Sequence, residues 1–384
     1  MPNKRIYFAC QQIAMKGDGV ANYTVLHGVQ QGTMTTTFNL DQVYTMGQLG
    51  LYANQENVPD IEVSLSKCLD GYPLLWHSAT VNATSPTLPG RSTEKCLIAF
   101  GIFADTSTGA SGTPQSEVET SGMFPSSIKY NFPVDGVFTE DMTCQGNDKI
   151  WANDSRVVQT GLWAGATTLT YAGQFTVDDT PIGSGSVNRR QNMLFDTGNG
   201  IGNDSNGQVA DPDATILPPD VFGISSSGTN PTVGGTGRSA HIQSISVSCD
   251  LNREPLYELG TRAPYTRTVN FPVEVTCEIG IIATSGDMVS ASTGGILNST
   301  GNACINSANL TDRTIRIATC EGTRLFLGKK NKLASVNYSG GDAGGGNVEV
   351  SYSFSNFNEL TVLHSADPNS LGATWWSTRT TYLT

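Results

Sequence analysis

The 384-residue sequence predicts an all-β, or β-dominated, chain of two tandem sandwich- or barrel-like domains with short flanking helices. Three observations carry that prediction. Charged residues are only 15% of the chain while Gly numbers 42, a composition suited to many short strands joined by turns and not to long helices. Apolar residues alternate with Ser, Thr and Glu over several stretches, the period of a strand with one wetted face. Finally, the chain carries one long stretch twice: His241 to Ile279 repeats Gly28 to Leu65.

An offset of 213 positions pairs Gly47 with Gly260, Gln30 with Gln243, Asn39 with Asn252 and Tyr44 with Tyr257. The same offset pairs Tyr52 with Tyr265, Asn57 with Asn270 and Pro59 with Pro272. After the proline the identities suggest an offset of 212, which lays Glu62-Val63 on Glu274-Val275. The length suits two domains, each able to bury its own core. The repeat places them at residues 1–180 and 181–384.

Taken in order, NKRIYF (3–8) reads as a strand with a faint counterpart in NRRQNMLF (188–195). From Val29 onward Thr33, Thr35 and Thr37 point one way and Met34, Thr36 and Phe38 the other; Ile245, Val247 and Cys249 alternate likewise with Ser244, Ser246 and Ser248. NLDQVYTMG and NREPLYELG suggest a turn of helix, with Asn as cap, Pro255 early and Gly at the end, and with the tyrosines anchoring the turn to the sheet. In IEVSLSK, Ile61, Val63 and Leu65 should face the core and Glu62, Ser64 and Ser66 face outward. In VEVTCEI, Val273, Val275, Cys277 and Ile279 should be inward and Glu274, Thr276 and Glu278 outward. Pro73 precedes a short apolar helix in LDGYPLLWH. KCLIAFGIFAD (95–105) stands where RTIRIATCEG (313–322) stands, and the segments 126–144 and 334–352 each read as a hairpin, with Tyr130 matching Tyr338. Residues 153–180 read as a linker and 196–213 as an Asn/Asp/Gly loop.

The net charge of −12 argues against a protein that grips nucleic acid by its phosphates. Eight cysteines, at 10, 68, 96, 144, 249, 277, 304 and 320, show no C-x-x-C pair and several sit in alternating apolar runs, so they read as buried free thiols. The four histidines accompany no catalytic or zinc motif, and His27 and His241 mark strand starts. Gly198 to Gly202 lacks the strand-to-helix setting of a dinucleotide site. Asp196, Asn203, Asp204, Asp211 and Asp213 do not have calcium-loop spacing. No cofactor, metal or enzymatic activity is therefore expected. No run has the roughly 18 apolar residues of a membrane span, and no secretory leader is evident.

At the repeated stretch, VQQGTMTTTFNLDQVYTMGQLGLYANQENVPDIEVSLSKCLDGYPLLWH and HIQSISVSCDLNREPLYELGTRAPYTRTVNFPVEVTCEIG, the sequence resembles the tail tube proteins of long-tailed bacteriophages. The resemblance implies a β-sandwich or barrel-like domain with a flanking helix, six of which close a ring whose inner strands line a DNA channel. Most members of that family carry one domain per chain; with two, three chains would make a homotrimeric ring of pseudo-sixfold symmetry. The implied setting is the virion tail, reached after assembly in the host cytoplasm and serving genome ejection. The implied partners are further copies of the chain, tail terminator, baseplate or tail tip, tape measure protein, a sheath protein in a contractile tail, and passing DNA held without sequence preference. Glu62, Ser64, Ser66, Glu274, Thr276 and Glu278 are the candidate channel lining, because an acidic hydroxyl-rich wall repels phosphate. Arg253, Arg262 and Arg267, present only in the second copy, suggest that the two copies make different interfaces. The competing reading is a virion surface or decoration protein that binds host glycans through Trp151, Trp163, Trp375 and Trp376.

Overall fold

The structure, a computed structural model, describes residues 6–20, 23–103, 114–153, 187–190, 193, 241–261, 263–283, 289–290, 295–296, 315–319, 321–328, 330–340 and 346–364. A 3-10 turn at Phe8–Cys10 leads into β1 (Gln11–Gly17) and β2 (Thr24–Val25), so the described part of the segment expected as a strand over 3–8 is coil and turn instead. Next come β3 (Val29–Thr37), β4 (Leu40–Tyr44), β5 (Leu51–Glu56) and β6 (Asp60–Cys68). Two short helices, α1 (Leu75–Ala79) and α2 (Leu88–Arg91), precede β7 (Cys96–Ile102), β8 (Ser116–Pro133), β9 (Thr139–Gly146) and β10 (Asp148–Asn153). The second half contributes β11 (His241–Asp250), β12 (Arg253–Leu256), β13 (Thr266–Val269) and β14 (Glu274–Ile282). Then follow β15 (Val289–Ser290), β16 (Gly295–Ile296), β17 (Arg316–Ala318), β18 (Arg324–Phe326), β19 (Lys332–Ser339), β20 (Glu349–Phe357) and β21 (Thr361–Leu363).

Eight of these strands form one continuous antiparallel surface in the order β3-β6-β9-β8-β11-β14-β20-β19. The first four and the last four have the same succession: repeat strand, its hairpin-linked partner, then the two strands of a later hairpin. Even the irregularities coincide. β3 is bulged between Val29 and Gln31 and β11 between Ile242 and Ser244, 213 positions on; β8 is bulged between Pro125 and Ser127 and β19 between Leu333 and Ser335, 208 positions on. Bulges bend and twist a ladder, so the two quartets are bent at matching places.

The ladders also correct the alignment after the proline. Thr33 faces Ser64 and Ser246 faces Glu278, so Ser64 aligns with Glu278 and Glu62 with Thr276, at an offset of 214. The second copy has gained a residue there instead of losing one. Alternation hides such an error, because a two-residue slip returns every side chain to its own face.

β8 joins the two parts of the chain. Its second half pairs with β9 and β11, while its first half turns away, with Gly122 at φ +59, to pair with β7 and β10. β7 in turn pairs with β1, and β1 with β2. One face of the eight-stranded surface is apolar: Val63, Met142, Ile128, Val247, Cys277 and Phe354 belong to a single core with Trp76 and Leu75 of α1, Leu88 of α2, and Ile317, Leu325 and Val362 of the sheet β17-β18-β21. The helix that follows Pro73 forms as the sequence predicts. Glu140 holds its start, accepting from Leu75 N–H at 2.6 Å and Trp76 N–H at 3.0 Å, and Tyr130 O–H donates to the same carboxylate at 2.9 Å. α1 and α2 reach across to the second half, where His77 Nε2 lies 3.0 Å from Val362 O and Leu88 N–H donates to Leu360 O at 2.8 Å.

The helical turns expected at NLDQVYTMG and NREPLYELG are absent; both segments are arms of β-hairpins, β4-β5 and β12-β13. Asn39 does not cap a helix: its side chain donates to Val58 O at 3.1 Å and to Asp60 at 2.9 Å, closing the base of the hairpin. Gly47 and Gly260 adopt φ of +89° and +97°, a turn conformation that L side chains disfavour. The tyrosines are not anchors either, since Tyr44 and Tyr257 are both exposed.

Candidate functional site

The other face of the eight-stranded surface is polar and, among the described residues, nothing packs over it. Period-two alternation dictates its composition. Glu62, Ser64 and Ser66 of β6 share it with Gln145, Thr143 and Asp141 of β9, their ladder partners. Lys129 and Asn131 of β8, Ser246 and Ser248 of β11, Glu274, Thr276 and Glu278 of β14, and Ser351, Ser353 and Ser355 of β20 continue it. All six candidate lining residues therefore lie on one face of one sheet.

The hydroxyls on this face are largely satisfied by their neighbours across the ladder. Ser64 and Thr143 hydroxyls lie 3.2 Å apart and Ser248 and Thr276 hydroxyls 2.7 Å apart. Ser66 donates to Asp141, which also accepts from Asn131 at 2.7 Å, and Ser351 donates to Glu278 at 2.6 Å. Carboxylates predominate: Glu62, Asp141, Asp250, Glu274 and Glu278 stand against Lys129 and, on the last strand, Lys332. A wall on which carboxylates outnumber ammonium groups, and on which several hydroxyls already bond one another, offers phosphate little to bind. The same alternation adds Asp141, Thr143 and the serines of β20 to this face, and Ser246 and Ser248, expected on the wetted side of their strand, join the six candidate residues.

Two of the three second-copy arginines have defined roles, and both lie within the chain. Arg253 donates to Pro125 O and to Ser92 O at 2.6 Å, with its guanidinium carbon 5.0 Å from the Phe124 ring centre; burial lowers its pKa to about 10. Arg267, 7% exposed, forms an ion pair with Asp60 at 2.7 Å and donates to the Asn147 amide oxygen at 3.1 Å. Arg262 lies outside the described residues.

Six cysteines, Cys10, Cys68, Cys96, Cys144, Cys249 and Cys277, are buried free thiols; Cys304 and Cys320 lie outside the described residues. Burial pushes Cys249 and Cys277 up to about 12, far from a reactive thiolate. Among the described residues no group of three or more His, Cys, Asp or Glu is placed to hold a metal, and no helix is long and apolar enough to cross a membrane. The 196–213 loop, the 153–180 linker but for Asn153, and Trp163, Trp375 and Trp376 also fall outside the description. Trp151 is half-exposed on β10, beside the equally exposed Ile150.

No family model matches the chain, and no curated protein matches it. Among solved structures, it is similar to a chain of the anti-feeding prophage baseplate at 9% identity, with a TM-score of 0.31 over 39% of this chain and 97% of that one. It is similar to a chain of the sheath–tube complex of an extracellular contractile injection system, PVC, at 12% identity and a TM-score of 0.30, over 40% and 95% of the two chains. A chain of the anti-feeding prophage tube-terminating cap gives 11% identity and a TM-score of 0.29, again over 40% and 95%. At such identities and scores the functional reading rests on the chain's own residues.

Proposed function

We propose that this chain is a structural tail tube protein and not an enzyme: three copies close head to tail into a pseudo-sixfold ring, and rings stack into a tube through which DNA passes. One observation carries the proposal. Among the described residues the eight-stranded surface ends in two unpaired edges, β3 and β19, and these occupy the same places in their quartets as β11 and β8, the strands that pair at the middle of the chain. A chain whose own halves are joined by last strand to first strand can be joined to its next copy in the same way.

The internal ladder supplies a register. Tyr130 faces Val247 and Ile128 faces Cys249. Carried to the matching positions, Tyr338 would face Met34 of the next chain and Val336 would face Thr36. Such a contact is heterologous, and a heterologous contact either closes into a ring or runs on as a filament. Closure also removes both free edges, which otherwise invite uncontrolled pairing.

The size is suitable. Three chains bring twenty-four strands, and at about 4.8 Å per strand these span a circumference of at least about 115 Å, hence a backbone diameter of roughly 37 Å or more once tilt is added. Side chains subtract several ångströms from each wall and still leave room for a duplex of roughly 20 Å. In this arrangement the polar face, with Glu62, Ser64, Ser66, Glu274, Thr276 and Glu278, lines the channel, and each quartet with its covering layer is one of two tandem tube domains, at about 1–180 and 181–384. Terminator, baseplate or tip, tape measure and sheath proteins are the partners this role entails. The mass of a single ring, with the rotational symmetry of a tube reconstruction, tests the reading. Three chains are expected; six chains per ring, or a protein that stays monomeric at high concentration, would overturn it.

A further inference from the structure

The two hairpins that stand off the polar surface match in sequence and in ladder but not in their surroundings. β12-β13 is seated on the first quartet: Arg253 reaches Pro125 and Ser92, and Arg267 reaches Asp60 and Asn147. Immediately before it, Leu251 is fully buried and its N–H donates to Ser126 O at 2.8 Å. Among the described residues β4-β5 has no such seat. Every residue from Thr37 to Asn57 is exposed, among them Phe38 at 68%, Leu40 at 52% and Tyr52 at 69%. A two-stranded ribbon is marginal in water by itself, and one that shows a row of apolar side chains is a surface awaiting cover.

Matched positions identify the cover. Phe38 stands where Leu251 stands, Leu40 where Arg253 stands and Asn54 where Arg267 stands, all 213 positions apart. The seat changes in step. By ladder register Leu333 takes the place of Pro125, Phe357 that of Asn147 and Glu274 that of Asp60. Phe357 is itself 57% exposed. Where the hairpin loses its cations, the opposite surface gains an exposed phenyl ring in place of an amide.

We propose that the β4-β5 hairpin docks on the second quartet of the neighbouring copy of this chain, with Phe38 and Leu40 packed on Leu333 and Phe357. The proposal rests on the head-to-tail ring. The ring then alternates between two kinds of joint. Within a chain the hairpin is fastened by arginines to carbonyls, an amide and a carboxylate; between chains it is fastened by apolar contact, with Asn54 donating to Glu274. The alternation lets the chain fold with its inner joint complete and leaves the outer joint to a contact that needs no buried charge.

Two cysteine pairs in the full chain separate this proposal from the ring itself. Leu40→Cys with Leu333→Cys reports the hairpin seat, and Thr36→Cys with Val336→Cys reports the strand edge; the parent chain and each single variant are controls. After oxidation, both pairs should give covalent species of two and three chains on a non-reducing gel, absent from the controls. Linkage through the edge pair alone overturns the hairpin seat and leaves the ring standing. Linkage through neither overturns the ring and the seat with it, and closure of the hairpin pair inside one chain shows that the hairpin folds back on its own copy, which also overturns the seat. In a second measurement, Phe38→Asp should keep the parent's circular dichroism while raising the concentration needed for assembly at least tenfold; unchanged assembly would count against the apolar latch.

Discussion

The joint in the middle of the chain and the two ends of the sheet occupy matching backbone positions, and their side chains differ mainly in what surrounds them. At the joint, Tyr130 and Val247 face each other and are buried, as is Leu251 one step beyond β11. At the ends, Tyr338 is 51% exposed, Met34 is half-buried and Phe38 is largely exposed. These are core residue types at positions that are core in the other quartet. Such residues on an edge that no described residue covers are a liability in a monomer and an interface in an assembly; in the proposed ring, the difference between the two regions is the neighbour.

The most damaging way to probe the comparison is a carboxylate at matched sites. Val247→Asp places an unpaired charge in the common core, a cost of several kcal/mol against a total stability of about 5–15 kcal/mol, and the chain is expected to be insoluble or unfolded. Met34→Asp, its counterpart on the open edge, should fold with the parent's circular dichroism and fail to form rings by electron microscopy. Equal damage from both would mean that β3 is covered within its own chain; normal rings from Met34→Asp would mean that β3 is not a joint.

Glu140 gives the next largest effect, because it serves only one quartet. Its carboxylate collects two backbone N–H groups of α1 and the Tyr130 hydroxyl, whereas the ladder-matched residue of the second quartet is Val350. Glu140→Ala leaves three buried donors unpaired and should lower unfolding free energy by about 3 kcal/mol or more in urea titration. Tyr130→Phe should cost about 1 kcal/mol, and Tyr338→Phe close to nothing in the unassembled chain, whose hydroxyl there is solvated. A similar loss from Tyr338→Phe would show that the edge tyrosine is already part of a packed network.

Much of this architecture was legible because strands advertise themselves by alternation and repeats by order. The inward and outward residues of β6 and β14, the hairpins around Tyr130 and Tyr338, and the helix after Pro73 all follow from local chemistry. The hairpins β4-β5 and β12-β13 were read as helical turns because Asn, Pro and Gly mark helix ends and β-turns alike, and only tertiary contact decides between them. The offset after the proline is ambiguous in sequence because a Glu-Val match two residues out of register falls on the same face, and only the ladders fix it at 214. The arginines of the second copy were visible as a difference between the copies. That Arg253 and Arg267 bind the first quartet of the same chain is not visible there, because the joining of β8 to β11 is a contact between distant parts of the sequence. The polar face is legible in part: Ser64, Ser66 and Thr276 stand among its expected residues, but their ladder partners Thr143, Asp141 and Ser248 come from strands whose pairing the sequence does not show.

The sheet that only the first half supplies, β1, β2, β7 and β10 with the outer part of β8, should respond to pH. Burial, reinforced by neighbouring Glu119, raises the Glu117 carboxyl from the usual 4.5 to about 8. Between those values the folded chain keeps a proton that the unfolded chain has lost, so stability falls as pH rises from about 4.5 towards 8. Glu117→Gln should flatten that part of the urea-midpoint profile, by about 1–2 kcal/mol between pH 5 and 8 after allowing for solvent screening. A parent profile already flat across this window would show that Glu117 is solvated or paired. Burial also raises the Glu140 carboxyl on β9, so the Glu117→Gln variant should keep the part of the slope that Glu140 contributes.

The smallest effect on folding should come from the face that matters most to the proposed function. Glu62 and Glu278 are exposed on the polar side of the sheet, so Glu62→Lys with Glu278→Lys should change unfolding free energy by no more than about 0.5 kcal/mol each. The pair of substitutions moves the chain only from −12 to −8. In the closed ring, however, every chain would turn two wall carboxylates into ammonium groups, one on each quartet of the wall. Binding of phosphate by fixed cations releases counterions and is therefore salt-dependent. Tubes of the variant should retain duplex DNA at low salt and release it as salt rises, while parent tubes retain none. If variant tubes assemble normally and still show no retention, these carboxylates do not face the passing DNA. If the substitutions instead abolish assembly while the chain stays folded, they lie between subunits and the channel has another wall.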